Sequence, residues 1–380
     1  MRFPDHVPVL TDGTVTLRAH RAEDVPGVLE QCVDPLSVQW TTVPVPYTRA
    51  DAEAFVAERV PAGWASGEWA FAVEAADEDG VGRFCGTVEL RDEGNRRAEI
   101  AFGAHPWARG RGLVERALRL LLEWGFSEQR LRTVVWWTTV GNWASRRTAW
   151  KLGFSCDGTL ARWLPQRGDL LDAWVGVLHV DDPRRPRHPW LRVPRLPGER
   201  VTLRPLREGD VPRVVEACSD ARTSHWLWRM PAPYTDDHAR AWLLDRAEHL
   251  AAGTAVTWAV ADRESDVLVG AVNAFAIKAQ REAEVGYWAH PDARGRGLMT
   301  EAARLVVAHC FTAYDAGGLG LVRLEAGAAA GNTASQHVLE AAGFTLVGRQ
   351  RRSLRLGDGS LSDCRTYDQL AEEHQGDHRG

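Results

Sequence analysis

The chain is written twice. VTLRAHRAEDVPGVLEQC, beginning at Val15, returns as VTLRPLREGDVPRVVEAC at Val201, an offset of 186 residues. AEIAFGAHPWARGRGL from Ala98 pairs with AEVGYWAHPDARGRGL from Ala283 at an offset of 185. GNWAS from Gly141 pairs with GNTAS from Gly331 at 190, and LGF at 152 returns as AGF at 342. Solenoid repeats run to roughly 20–50 residues, so this period is a whole duplicated domain. At 380 residues the chain has the length of two ordinary domains.

The matches predict an N-terminal domain over 1–180, a linker over 181–197, a C-terminal domain over 198–372 and a polar, frayed tail over 373–380. Five prolines and six arginines between Asp181 and Arg200 favour an extended, semi-rigid linker. Each copy reads as α+β on a mixed sheet. A short strand (Val15–Arg18; Val201–Arg204) leads into a helix opened by Glu-Asp or Gly-Asp. A loop with Trp and Pro-Tyr and a second helix follow, then three alternating segments, in the first copy near Trp69–Glu74, Phe84–Leu90 and Ala98–Ala104. Beyond a Gly-rich turn, Val114, Ala117, Leu118, Leu121 and Trp124 recur at helical spacing, as do Met299, Ala302, Ala303, Val306 and Cys310. A strand (Thr133–Thr138; Val322–Ala326) and a short helix from Asn142 or Asn332 come next, closed by Gly153 or Gly343. Last strands lie near Ala173–Leu178 and Cys364–Tyr367.

Composition narrows the function classes. With 44% hydrophobic and 26% charged residues, each half can bury a core. No run of about 18 apolar residues occurs, so no membrane partner is expected. MRFPDHVPVL has no basic segment followed by an apolar one, and no secretory signal is expected. A net charge of −5 speaks against a general nucleic-acid binder. None of the six cysteines stands at a ligand spacing, so no metal is expected, and isolated thiols fit a reducing cytoplasm.

The Gly-rich turn carries the chemistry. It reads Arg109, Gly110, Arg111, Gly112, Leu113, Val114 in one copy and Arg294, Gly295, Arg296, Gly297, Leu298, Met299 in the other. Glycines at a strand-to-helix junction let a ligand approach the backbone. Unpaired N–H groups and the positive end of the helix dipole then favour a phosphate or diphosphate. The four arginines are expected to add charge at its mouth. Neither lysine follows a GxxxxG, which excludes a Walker A loop, and the third glycine of a dinucleotide fingerprint is absent.

Strand, Arg-Gly-Arg-Gly-Leu, helix, then strand, Gly-Asn-x-Ala-Ser, helix, Gly-Phe resembles the GNAT superfamily of acyl-CoA N-acyltransferases, once per half. VTLRPLREGDV and AEVGYWAHPDARGRGLMTEA are most similar to the branch of ribosomal-protein N-terminal acetyltransferases, which also holds antibiotic-modifying enzymes. The resemblance implies two tandem GNAT-like domains, each a mixed, mostly antiparallel sheet flanked by helices. It implies acetyl-CoA as acyl donor, its diphosphate held by the turn residues just named. Asn142 and Asn332 would lie near the pantetheine arm, and Ser145 and Ser335 beside the sulfur, able to protonate the leaving thiolate. Many members use instead a tyrosine seven residues after the Asn; Ala149 and Leu339 stand there, so that route is closed. Val114, where Gly or Ala is usual, departs from the pattern.

Amide formation from an amine and a thioester needs a base, an oxyanion donor and a donor for the leaving thiolate. Glu99 and Glu284, on the strand before the turn, are the base candidates, because a carboxylate on an apolar strand invites a raised pKa. Trp40, Pro46 and Tyr47 in one half, and Trp226, Trp228 and Tyr234 in the other, are expected to line the acceptor pocket, with Asp172 and Asp363 binding a cationic amine. The leading expectation is a tandem, cytoplasmic N-acetyltransferase, monomer or homodimer, acting on a primary amine of an antibiotic, an aminonucleoside-like molecule or a peptide N-terminus. The alternative is that one half, the first by its Val114, is a non-catalytic CoA-binding or scaffolding module. A third reading, an aminoacyl-tRNA donor, is opposed by the acidic charge and the two diphosphate turns.

Overall fold

The computed structural model of the chain describes residues 7–376 apart from 78, 229 and 280. Two compact units part between Arg187 and His188. The first carries strands β1 (Leu10–Thr11), β2 (Val15–Arg18), β3 (Glu68–Ala76), β4 (Gly82–Asp92), β5 (Arg97–Ala104), β6 (Thr133–Thr139), β7 (Gly158–Gln166) and β8 (Asp169–His179). Its helices are α1 (Val25–Val33), α2 (Pro35–Trp40), α3 (Arg49–Ala54), α4 (Val60–Ser66), α5 (Leu113–Ser127) and α6 (Trp143–Leu152). The second repeats the plan with β9 (Leu196–Pro197), β10 (Val201–Arg204), β11 (Val256–Asp262), β12 (Leu268–Phe275), β13 (Glu282–Ala289), β14 (Arg323–Ala329), β15 (Thr345–Arg355) and β16 (Leu361–Leu370). Its helices are α7 (Val211–Ser219), α8 (Ala221–Trp226), α9 (Asp236–Ala251), α10 (Leu298–Phe311), α11 (Thr333–Ala341) and α12 (Ala371–Gly376).

Each unit builds one eight-stranded sheet, in the order β1-β2-β3-β4-β5-β6-β8-β7 and its counterpart β9-β10-β11-β12-β13-β14-β16-β15. Neighbouring strands run antiparallel except β5 with β6 and β13 with β14, which are parallel. The expected α+β class and the mixed, mostly antiparallel sheet are both present, twice.

Strand alternation splits the helices between two faces. In the second unit, Val272, Ala274, Ala283 and Val285 pack with Ala302, Val306 and Leu339 of α10 and α11. On the opposite face Ala259, Leu268 and Trp288 meet Val211, Val214 and Ala239 of α7 and α9. In the first unit, Ala72 and Phe84 meet Val25 and Val28 of α1 in the same way. A buried ion pair fixes each opening motif: Arg18 reaches Asp24 at 2.7 Å, and Arg204 reaches Asp210 at 2.8 Å. Both partners lie in the repeated VTLR-to-Asp stretch, so the strand and the turn that starts α1 or α7 are locked together. A buried pair of this kind loses most when one partner is removed and the other is left uncompensated.

The proline- and arginine-rich segment is held by side chains of both units' own residues. Arg184 donates to the His179 carbonyl at 3.0 Å and Arg187 to the Gly153 carbonyl at 2.8 Å. Further on, Trp258 Nε1 donates to the Pro194 carbonyl at 3.0 Å. Of the tail, residues up to 376 belong to α12, and 377–380 lie outside the described residues. Among the described residues no helix is long and apolar enough to cross a membrane.

The parallel pairs open the site. β5 and β6 pair at three positions only, Arg97↔Thr133, Ala98↔Val134 and Glu99↔Val135, and then part. β13 and β14 do the same, ending at Glu284↔Glu325. A wedge-shaped gap therefore starts just past each of these glutamates.

Candidate active site

The Gly-rich turns are open cradles. Gly110 and Gly112 both lie at φ +74°, Gly295 at +71° and Gly297 at +73°, conformations that an L side chain resists. A Cβ placed on Gly110, Gly112 or Gly295 would meet nothing within 4 Å, and one on Gly297 would meet only the Arg200 guanidinium, 3.3 Å away. The first bonds closing α5 and α10 run from Arg116 N–H to the Gly112 carbonyl and from Glu301 N–H to the Gly297 carbonyl, each 3.2 Å. The amides of Leu113 and Val114, and of Leu298 and Met299, precede those bonds and are first-turn donors without a helical acceptor. With the dipole behind them they suit an anion.

Two of the four arginines serve the scaffold instead of standing free at the mouth. Arg109 pairs with Asp34 at 2.5 Å, and Arg294 with Asp220 at 2.5 Å. Asp34 and Asp220 also cap α2 and α8, accepting from Ser37 and Thr223 N–H. The Arg294 guanidinium holds the Asp220 carboxyl below its usual range. These pairs lash each cradle to the helix that carries Trp40 or Trp226. Arg111 stacks over Trp107 at 5.0 Å. The Arg296 carbonyl accepts from Arg200 at 2.7 Å, and Arg200 is paired with Glu301 at 3.1 Å. In the first unit that tie has reversed signs, Asp12 with Arg116 at 2.7 Å. Val114 is half-buried, and Met299 is buried over Gly270.

The two glutamates end the paired part of β5 and β13 but meet different neighbours. Arg91 lies opposite Glu99 and donates to it at 3.3 Å, while also pairing with Glu89. Burial pushes the Glu89 carboxyl above its usual range against the pull of Arg91. In the second unit the matching positions are Phe275, opposite Glu284, and Asn273. Among the described residues no cation pairs with Glu284 and no side chain hydrogen-bonds its carboxylate, which is half-buried.

The serines differ too. Asn142 and Asn332 are N-caps, each accepting from Ser145 or Ser335 N–H at 3.2 Å. In the first unit the Asn142 amide also donates to Thr138 Oγ1 at 3.1 Å, and Trp136 Nε1 donates to Ser145 Oγ at 3.1 Å. Ala328 and Ala326 replace those partners in the second unit, and Ser335 Oγ instead meets the Tyr287 phenol at 3.0 Å. By strand parity, Glu284 and Tyr287 stand on opposite faces of the sheet. Glu284 faces the α7 and α9 side, and Ser335 lies on the α10 and α11 side. No motif marks Tyr287, Arg91 or Glu89 in the sequence. The repeat carries the signal: Tyr287 aligns with Phe102, and the Glu89–Arg91 pair aligns with Asn273 and Phe275.

Of the expected acceptor residues, Trp40 and Trp226 come to the site. Each ring lies about van der Waals contact from the Gly-Asn turn, 3.5 Å from a Cβ on Gly141 and 3.4 Å from one on Gly331. Tyr47 packs into the cluster of Val25, Val28 and Cys32, and Tyr234 into that of Val211, Val214 and Cys218. Trp228 is half-exposed under the Arg355 guanidinium, 5.2 Å from it. Asp172 and Asp363 are turned to their own hairpins. Asp172 accepts from Arg162 N–H at 2.8 Å and Asp363 from Arg352 N–H at 2.7 Å. Arg162 and Arg352 sit at φ +51° and +50° in register shifts of β7 and β15, so each aspartate pins an irregular turn of backbone.

The family described as Acetyltransferase (GNAT) domain matches residues 14–155 and again 200–345. A probable N-acetyltransferase of Bacillus subtilis, YjcK, is 31% identical over 166 residues, which are 42% of this chain and 89% of YjcK. A putative ribosomal N-acetyltransferase of the same species, YdaF, is 27% identical over 184 residues, 47% of this chain and 96% of YdaF. Among solved structures, Mycobacterium smegmatis RimJ in complex with CoA-disulfide is 25% identical, with 49% of this chain and 91% of RimJ covered and a TM-score of 0.43. Each relative is matched along most of its own length by less than half of this chain.

Proposed function

This chain belongs to the GNAT acetyltransferase family over both of its halves, and on that premise we propose that its C-terminal half acetylates a primary amine, with Glu284 as base and Ser335 as proton donor. Acetyl-CoA, the donor the family uses, supplies the acetyl group as a thioester. The first-turn amides of α10, the open face of Gly295 and the Arg200 guanidinium beside Gly297 fit its diphosphate. Beyond Glu284, alternate N–H groups of β13 turn toward the gap left by β14 and can donate to a carbonyl oxygen there. Glu284 takes a proton from the amine on one face of the sheet. Ser335 gives a proton toward sulfur on the other. The serine proton leaves on the CoA thiol; Glu284 then releases its proton to water and Ser335 regains one from it, which restores carboxylate and hydroxyl for the next turnover. Much of the acceleration would come from holding the amine and the acyl carbon together.

The observation that carries this reading is the unpaired carboxylate of Glu284 at the start of the gap. Its counterpart Glu99 is held by Arg91, and Ser145 and Asn142 are closed into bonds with Trp136 and Thr138. The first half then binds CoA through its own cradle and contributes little turnover. For the acceptor, Trp226 beside the Gly-Asn turn and Phe275 beside Glu284 support an amine on an apolar or ring-bearing body, such as an antibiotic or an aminonucleoside. The likeness to YdaF supports a protein N-terminus as the other class. The test is thiol release from acetyl-CoA across a panel of aminated small molecules and peptides, with mass spectrometry of the product. An acetylated amine formed in step with free CoA is expected. Absence of thiol release with every amine would overturn the reading.

A further inference from the structure

We propose that Tyr287 is a positioning residue for Ser335, its phenol fixing the serine hydroxyl beside the gap between β13 and β14; this rests on the acetyl-transfer reading above. Two contacts carry it. Tyr287 Oη lies 2.9 Å from the Ser335 carbonyl oxygen and 3.0 Å from Ser335 Oγ. A carbonyl only accepts, so the phenol O–H donates to it, and the phenol oxygen is left to accept from the serine hydroxyl. Ser335 N–H is already taken by Asn332 Oδ1. The serine is thus held at its N–H, its C=O and its Oγ, which leaves the hydroxyl one direction.

Tyr287 sits three residues past Glu284, on the stretch of β13 that no longer pairs with β14. Burial pushes its phenol up to about 12, so the group keeps its proton through the neutral range and acts as donor and acceptor, not as a base. When charge develops on sulfur, the serine proton can turn toward it while the phenol O–H turns from the carbonyl to Ser335 Oγ. No proton leaves the tyrosine in that exchange. The first half has no such device. Phe102 stands at this position, and Ser145 Oγ accepts from the indole of Trp136, which can only donate.

The experiment uses the full chain with Tyr287→Phe, Ser335→Ala and both together. Phe102 indicates that the ring without its hydroxyl is compatible with the strand, and melting curves of each variant check it. Expected is a fall in kcat of about tenfold for Tyr287→Phe, the size of ~1.4 kcal/mol in a barrier, with KM for acetyl-CoA unchanged. In the Ser335→Ala background the tyrosine change should cost nothing further. An unchanged kcat, or a loss that adds in full to that of Ser335→Ala, overturns the proposal. A second measurement does not need turnover. In crystals, Ser335 should hold one rotamer in the wild type and spread over two or more in Tyr287→Phe; a single unchanged rotamer overturns the proposal. A wild-type chain inactive on every amine would instead strike the acetyl-transfer reading, while the rotamer comparison still decides the role of Tyr287.

Discussion

Duplication gives every repeated residue an internal control, and the contrasts fall on both faces of the sheet: around Glu99 and Glu284 on one, around Ser145 and Ser335 on the other. His20 is buried, 3.0 Å from Thr87 Oγ1, where the second unit has Leu206 and Ala271. Burial lowers its pKa to about 4. The unfolded chain takes up a proton near pH 6.5 and the folded one does not until about 4. The stability due to the neutral ring is therefore complete above about pH 6.5 and drains away as pH falls toward 4, by about 2 kcal/mol at pH 5. The double change His20→Leu with Thr87→Ala should narrow the drop in melting temperature between pH 7 and pH 5. An equal drop in variant and wild type would remove this account of His20.

At the scale of elements, the cradles and the wedge were not equally legible. The strands at Val15–Arg18 and Val201–Arg204 and the helix after each Gly-rich turn stand where hydrophobic periodicity places them. β7 and β15 do not announce themselves. Thr345–Arg355 is exposed along nearly its whole length and lacks the buried-face alternation that marks a strand, and it is held by pairing with β16 and by Asp363. Nor can sequence give the parting of β5 from β6, because strand pairing is long-range. It can give the glycines, whose positive φ only the turn chemistry demands. Gly297→Ala forces a side chain into φ +73° and puts a methyl against Arg200. It should cost about 1 kcal/mol in stability and weaken CoA binding by about tenfold, one ~1.4 kcal/mol contact. Calorimetric titration reads the second effect, and unchanged affinity would show that the cradle is not the diphosphate site.

For the whole molecule, the same comparison separates what duplication kept from what it let drift. Both units keep the Arg–Asp lock, the Asn cap and the open glycines. They differ in how volume is filled: Trp136 lies across from Gly176 in one, Tyr367 across from Ala326 in the other. They differ also in what surrounds the glutamate. Two intact cradles imply that the full chain binds two CoA molecules, whereas a titration that saturates at one would leave a cradle without a ligand. One glutamate left unpaired implies that turnover belongs mainly to the second half. The most direct test is thiol release from acetyl-CoA by the full chain carrying Glu284→Gln or Glu99→Gln, measured side by side with the best amine of the panel. The account predicts a loss of about 100-fold or more for Glu284→Gln, the usual worth of a general base, and near wild-type rates for Glu99→Gln. Equal losses in the two variants, or the larger loss in Glu99→Gln, would contradict it.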